Sequence, residues 1–232
     1  MYTDIMSLKY LENIINSGLF AYIRKSDYID AFERLNIVSR NCRKDEAIAR
    51  QGDVIDGICI VEKGSVRGEK TYPGGEVHLV SIYERGAIFA LEVAVSQKKT
   101  SPVDFIANED CRILSISMRS LEQSLYRDRM RIALIEMLAD DNIRKQNKIE
   151  ILAERGLRDR VMVYLGILSK KSGSDEVRVK MSREQMAQYL CVNRSALSNE
   201  LNKMRREGII DFRKDVFRIL QRQEGEADSG EK

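Results

Sequence analysis

Arg194, Ser195, Ser198, Asn199, Asn202 and Lys203 are the residues whose types and spacing point most directly to chemistry. They offer a guanidinium fork, amides, hydroxyls and an ammonium along one short stretch. Such a set hydrogen-bonds base edges and phosphates rather than breaking covalent bonds. Leu197, Leu201 and Met204 recur between them at i, i+4 and i+7, so one helix can bury the apolar residues and turn the polar ones outward. Asn193 fits the N-cap of that helix, and Glu207-Gly208 fits its end, with Gly208 at C′. Just upstream, Ser182 and Gln185 have capping-box spacing, and Met186, Tyr189 and Leu190 share a face behind Arg183. Ala187 is small enough for a close crossing. Two short helices joined by the tight turn at Cys191-Val192 make a helix-turn-helix, whose second helix enters the DNA major groove.

The elements around this pair fit the same reading. Ile209–Phe212 and Val216–Leu220 flank Arg213-Lys214-Asp215 as a β-hairpin, which makes the module a winged helix. From Arg178 to Arg222 there are eleven Lys/Arg and five Asp/Glu, a balance of +6, whereas the whole chain carries +3 and its remainder −3. Cationic charge gathered in one module is the footprint expected for phosphate contact.

Length and composition narrow the alternatives. A chain of 232 residues accommodates one or two domains, each able to bury a core. No run of 18 apolar residues occurs, and Met1–Met6 lacks a secretory layout, so a cytoplasmic protein with no membrane partner is expected. Cys42, Cys59, Cys111 and Cys191 are scattered and read as reduced thiols. His78 is the only histidine, which disfavours zinc hydrolases, Ser-His-Asp triads and multi-histidine metal sites. No catalytic residue, metal or cofactor is therefore expected.

Along the chain, Leu8, Leu11, Ile15, Leu19, Phe20, Tyr28, Phe32 and Leu35 keep helical spacing. Short β-rich runs follow at Glu46–Arg50, Ile58–Glu62, Ser65–Lys70, Val77–Tyr83, Ile88–Leu91, Asp104–Ala107 and Ile113–Ile116. Turns such as Gly52-Asp53, Lys63-Gly64 and Arg85-Gly86 separate them, which predicts a small sandwich or barrel. In Val77–Tyr83 the alternation sets His78, Val80 and Ile82 opposite Val77, Leu79, Ser81 and Tyr83. Residues 118–154 lack Gly and Pro. Met130, Ala133, Met137 and Asp141 with Ile143 or Arg144, then Lys148 and Ile151, trace a leaky heptad, the seam of a helix that pairs with its copy. Glu154–Gly156 reads as a hinge. The fold class expected is α+β, with a sensing β-roll in 1–125, a dimerisation helix in 126–154, a winged helix-turn-helix in 155–222 and a disordered tail in 223–232.

This order of parts, with the stretch Ser182–Leu201, Gly208-Ile209-Ile210 and the glycines at Gly52, Gly64 and Gly86, resembles the Crp–Fnr superfamily of bacterial transcription regulators. The resemblance covers about residues 20–222. It implies a homodimer on double-stranded DNA, with RNA polymerase as a possible further partner. Arg194 falls where the family sets an arginine against guanine. Ser195 stands where the cyclic-AMP receptor has a base-reading glutamate, and Asn199 where a second arginine is usual. Ser182, Arg183 and Lys203 are placed for phosphate. Cys191 occupies a turn position usually held by glycine.

The family's cyclic-nucleotide members hold the phosphate with a Gly-Glu-Leu turn and an arginine; Ala90-Leu91-Glu92 and Thr100-Ser101-Pro102 stand there instead. A cyclic nucleotide is therefore not the expected ligand. No cysteine precedes Cys42, so the iron–sulfur site of the namesake is not expected either. A small organic effector, or none, is expected in the roll beside the long helix, near Tyr83, Phe89, Leu91, Glu92, Val93, Lys98, Thr100, Ser101, Met137 and Asn142. Three other readings stay open: a degenerate helix-turn-helix used for protein contacts, a thiol-based redox sensor, and a cupin-like enzyme.

Overall fold

The computed structural model describes residues 5–221. The expectations placed on the first four residues, on the Leu8 side chain and on the tail 223–232 lie outside the described residues. The chain divides between Asn142 and Ile143 into two compact units.

In the first unit α1 (Ile5–Asn16), a 3-10 turn at Lys25–Asp27 and α2 (Tyr28–Glu33) precede the strands. Then come β1 (Ile37–Cys42), β2 (Ala47–Ala49), β3 (Gly57–Lys63), β4 (Val66–Thr71), β5 (Val77–Tyr83) and β6 (Ile88–Phe89). The one-turn α3 (Leu91–Ala94), β7 (Asp104–Ala107), β8 (Cys111–Ser117), α4 (Met118–Gln123) and the long α5 (Arg127–Ala153) follow. Two antiparallel sheets result, ordered β1-β8-β3-β6 and β2-β7-β4-β5. Period-two alternation in β3 and β8 explains how both faces of the first sheet are covered. Val61 and Ile113 meet Phe89 and Phe105 inside the roll, while Ile58, Ile60, Leu114 and Ile116 pack against Ile14, Leu19 and Phe20 and against Met130 and Leu134 of α5. Gly64 (φ +77°) closes the β3–β4 turn, where a Cβ would stand 2.7 Å from the Asp110 carbonyl oxygen.

β1 was not expected, since four of its six residues are exposed and no alternation marks it. The strand expected at Ile88–Leu91 stops at Phe89, because Ala90 turns left-handed (φ +61°) and starts α3. The alternation expected through Val77–Tyr83 also fails. A register shift between Gly68 and Glu69 pairs them with Ser81 and Leu79 and skips Val80, so Val80 and Tyr83 both pack on the roll core.

The heptad expected along α5 is corrected too. Met130, Ala133 and Ile151 are buried in the units themselves and Met137 packs beside Met130. The exposed stripe is Ile132, Ile135, Ala139, Asn142, Gln146 and Ile149, at alternating spacings of three and four, with Ile143 beside it. An α-helix with two apolar stripes has a periodicity that cannot tell which one its own core takes.

The second unit holds the end of α5, then α6 (Leu157–Ser172), β9 (Glu176–Arg178), α7 (Arg183–Tyr189), α8 (Arg194–Arg206), β10 (Ile210–Arg213) and β11 (Val216–Ile219). Its core gathers Ile151, Val161, Leu165, Met186, Leu190, Leu197, Leu201, Met204, Ile210 and Phe217, which matches the apolar spacing of each helix. The wing is a three-stranded sheet, β10-β11-β9, rather than a hairpin alone. β9 has three residues with only Val177 buried, too short a signal to read in advance.

Candidate nucleic-acid interface

Backbone chemistry sets the angle between α7 and α8. The Ser182 hydroxyl accepts from the Gln185 N–H (3.1 Å) and the Gln185 side-chain oxygen accepts from the Ser182 N–H (3.0 Å), a complete capping box. At the other end the Val192 N–H donates to the Ala187 carbonyl (3.0 Å) and the Cys191 N–H to that of Gln188 (3.2 Å). These two bonds form a Schellman motif around Cys191 at φ +55°, the left-handed position that glycine usually fills. Asn193 then caps α8: its Oδ1 accepts from the Ala196 N–H (2.7 Å) and the Ser195 hydroxyl (2.8 Å). A second Schellman motif, around Gly208 (φ +72°), ends α8 and leads into β10.

The expected DNA-facing residues separate by what they touch. Ser182, Asn193 and Ser195 are exposed but engaged in the caps. Arg183 is half-buried; its guanidinium lies 4.6 Å from the Phe217 ring and 5.0 Å from the Phe212 ring and donates to the Lys214 carbonyl (2.8 Å). Burial lowers its pKa, and these contacts fasten α7 to the wing. Arg194, Asn199, Asn202 and Lys203 are exposed and make no side-chain hydrogen bond or ion pair within the described residues; Ser198 is half-buried beside them. Arg206, Arg213 and Lys214, not singled out from sequence, add exposed charge at the end of α8 and on the wing. Their only signal was the charge balance of the module.

Arginines on α6 hold α8 in place. Arg158 pairs with Glu200 (2.9 Å) and Glu207 (2.7 Å). Arg160 donates to the carbonyls of Leu190 (3.0 Å) and Glu154 (2.9 Å), tying the start of α6 to the end of α7. Glu154–Gly156, expected as the hinge, is thus bonded into the second unit, and the division between the units lies upstream inside α5. Lys148, near the end of α5, stands 4.2 Å from the Tyr189 ring centroid. Burial pulls its pKa down to about 8, against an upward push from Cys191.

The ten expected effector residues differ in exposure. Phe89, Leu91, Val93 and Ser101 are buried, and Met137 packs among the helices covering the roll. Tyr83 contacts Phe89 with centroids 5.6 Å apart, and Glu92 is half-buried. Lys98, Thr100 and Asn142 are exposed. A crevice of about 460 Å³ does enter the roll, but of the ten only Phe89 lines it. The segment after α3 is fastened elsewhere. Backbone bonds join Gly52 to Ser101, Ile55 to Lys99 and Ser101 to Asp53, and the Lys99 ammonium pairs with Asp56.

Two outcomes follow from this geometry. Left-handed strain at a residue with a Cβ costs about 1–2 kcal/mol, and glycine's extra unfolded-state entropy returns about 0.5–1 kcal/mol of that. Cys191→Gly is therefore expected to stabilise the protein by about 0.5–1 kcal/mol in denaturant unfolding; a loss of stability contradicts the strain assigned to the turn. For Lys148, the folded unit carries a disfavoured ammonium below about pH 8. Between there and the ordinary value of 10.5 the unfolded chain binds a proton that the folded unit has released, so stability rises with pH in that window. Measured against non-titrating Lys148→Met, the wild type should gain stability from about pH 7.5 to about pH 9.5; a constant difference argues against a buried ammonium.

Comparison with known proteins agrees with this architecture. Residues 39–128 match the cyclic nucleotide-binding domain family and residues 159–224 the Crp-like helix-turn-helix domain family. The transcriptional activator protein FnrA of Stutzerimonas stutzeri is 21% identical over 198 residues, covering 83% of this chain and 80% of its own. The global nitrogen regulator of Synechocystis sp. is 22% identical over 175 residues, covering 72% and 78%. A CooA mutant from Carboxydothermus hydrogenoformans shares the fold with a TM-score of 0.68 at 17% identity, over 82% of this chain and 85% of that one. With both family domains present in this order around a long helix, the chain belongs to the Crp–Fnr superfamily and is a DNA-binding transcription regulator.

Proposed function

We propose that this regulator works as a homodimer that grips a near-palindromic operator with two copies of α8, under the control of a small molecule bound in its roll. It acts by binding and catalyses no reaction. The observation that carries the reading is the exposed set Arg194, Asn199, Asn202 and Lys203, whose side chains have no partner among the described residues, on a helix whose opposite face is fully buried. Arg194 pairs bidentately with guanine O6 and N7, Asn199 suits adenine, and Lys203 with the wing's Lys214 meets phosphate. With Asn199 where a second arginine is usual, the operator differs from those of the namesakes.

Support for the homodimer comes from the exposed stripe on α5. Taking Ile132, Ala139 and Gln146 as a positions and Ile135, Asn142 and Ile149 as d positions, parallel in-register pairing sets Arg131 against Glu136 of the partner subunit and Lys145 against Glu150 of the partner subunit. Leu138 then meets Ile143 of the partner subunit, an apolar pair. Asn142 and Gln146, polar in the seam, disfavour slipped registers at some loss of stability.

A thiol-based redox reading has the burial of the roll's cysteines against it. Burial pushes the Cys59 and Cys42 thiols up, and Cys111 up to about 11, so these groups stay protonated and slow to oxidise at neutral pH.

Two measurements test the reading. On DNA selected from a random pool, Arg194→Ala should lose about fivefold to a hundredfold on the selected site and little on a scrambled one. Lys203→Ala should weaken both alike and lower the salt slope by about one. Equal losses on both DNAs for Arg194→Ala would refute its base-reading role. Ile135→Asp should turn the dimer into a folded monomer in sedimentation, because Ile135 is 64% exposed and its loss leaves the roll core intact. A dimer that survives this change places the seam elsewhere.

A further inference from the structure

The crevice in the roll has a composition that specifies what it can hold. Its walls are Ile48, Ile55, Phe89, Phe105 and Ile113, drawn from both sheets, and Ala49 and Ala90 add no polar side-chain atom. Two polar side chains line it from the central strands β3 and β8: Cys59 and Ser115, which are cross-strand partners. The Ser115 hydroxyl has one side-chain partner, the Cys59 sulfur at 3.4 Å. A thiol is a weak hydrogen-bonding group, so the hydroxyl retains capacity for an oxygen or nitrogen from a guest.

The more exposed lining residues are Val54, Arg40 and Asp53. Arg40 is neutralised by Glu46 at 2.7 Å, and the Asp53 carboxylate, which accepts from the Arg50 backbone N–H at 2.8 Å, adds negative charge. No surplus cation is left there to hold a carboxylate or phosphate, and the walls offer nothing to a charged group inside. The volume, about 460 Å³, lies within the range of small-molecule sites.

We propose that this crevice is the effector site and that it takes an uncharged, largely apolar molecule of one or two rings, whose hydroxyl or carbonyl group hydrogen-bonds Ser115. The assignment rests on the reading of the roll as the sensor of a DNA-binding regulator. The guest lies against the β1-β8-β3-β6 sheet and beside Ala90, at the root of α3. This is a different wall from the Leu91–Ser101 segment, which is bonded through its backbone to residues 52–55.

The test uses the full chain and three probes of one shape: 1-naphthol, naphthalene and 1-naphthoate. The chain has no tryptophan, so naphthyl fluorescence reads binding with little background. Wild type should bind naphthol more tightly than naphthalene and should bind naphthoate least. Ser115→Ala should weaken naphthol about threefold to tenfold and leave naphthalene unchanged. Ala49→Phe, which fills the crevice, should abolish binding of both while leaving the melting transition cooperative. Naphthoate binding as tightly as naphthol, or equal effects of Ser115→Ala on naphthol and naphthalene, overturns the ligand class. Binding that survives Ala49→Phe, or no binding of either neutral probe to wild type, overturns the site. DNA titration of the same samples separates this proposal from the reading beneath it. If naphthol binds as described but operator affinity stays unchanged, the crevice is a ligand site without the effector role. If no operator is bound with or without naphthol, the regulator reading falls while the site stands.

Discussion

Everything the recognition helix does depends on one short turn. Two backbone hydrogen bonds, from Cys191 to Gln188 and from Val192 to Ala187, fold the chain back at a left-handed residue and aim α8. Without that reversal Leu190 and Leu197 could not enter one core, and the polar side of α8 would have no fixed direction. The turn is assembled from local chemistry, a capping box before it and an Asn193 cap after it, and locked by distant chemistry, the Arg160 guanidinium on the Leu190 carbonyl. A cysteine at the strained position means the surrounding bonds and core hold a conformation that the residue itself disfavours.

Local rules made this part legible in the sequence. Caps, a C′ glycine at 208 and the i, i+4, i+7 spacing of Leu197, Leu201 and Met204 each act within a few residues, so the pattern and the structure coincide there. What the sequence could not resolve was decided between elements. Nothing near Arg183 in the sequence shows that Phe212 and Phe217, thirty residues on, are folded against its guanidinium. The buried and exposed stripes of α5 have the same periodicity, and only the folded roll selects Met130 over Ile132 for its core. The Val77–Tyr83 alternation broke because a register shift opposite it, between Gly68 and Glu69, changes which residues face inward. The expected effector residues fell mostly on the segment the family uses, whereas the crevice draws its lining from six strands and the loop at residues 53–55, and of the expected residues only Phe89 is among it.

α5 contributes side chains to the cores of both units. Met130 and Leu134 are fixed in the core that covers the roll, and Ile151 in the core of the winged helix-turn-helix. Lys148 lies over Tyr189, the last residue of α7. The residues between, from Ala139 to Gln146, are mostly exposed and belong to neither core. The far end of α5 is thus part of the core of the winged helix-turn-helix, and the Glu154 carbonyl accepts from Arg160 of the same unit.

The same arrangement says what an effector must do energetically. A guest in the roll alters DNA affinity only if it binds two arrangements of the protein unequally, and coupling of this kind typically amounts to about 1–3 kcal/mol. The crevice lies against β8, whose opposite face carries Leu114 and Ile116 into the core shared with Met130 and Leu134. One strand thus has the guest on one side and the root of α5 on the other. Close-packed cores shift between discrete arrangements rather than yielding gradually. Filling an apolar crevice behind β8 is a direct physical way to favour one packing of Leu114, Ile116, Met130 and Leu134 over another. It needs no charge, which is consistent with the loss of the arginine and glycine that anchor a cyclic phosphate elsewhere in the family.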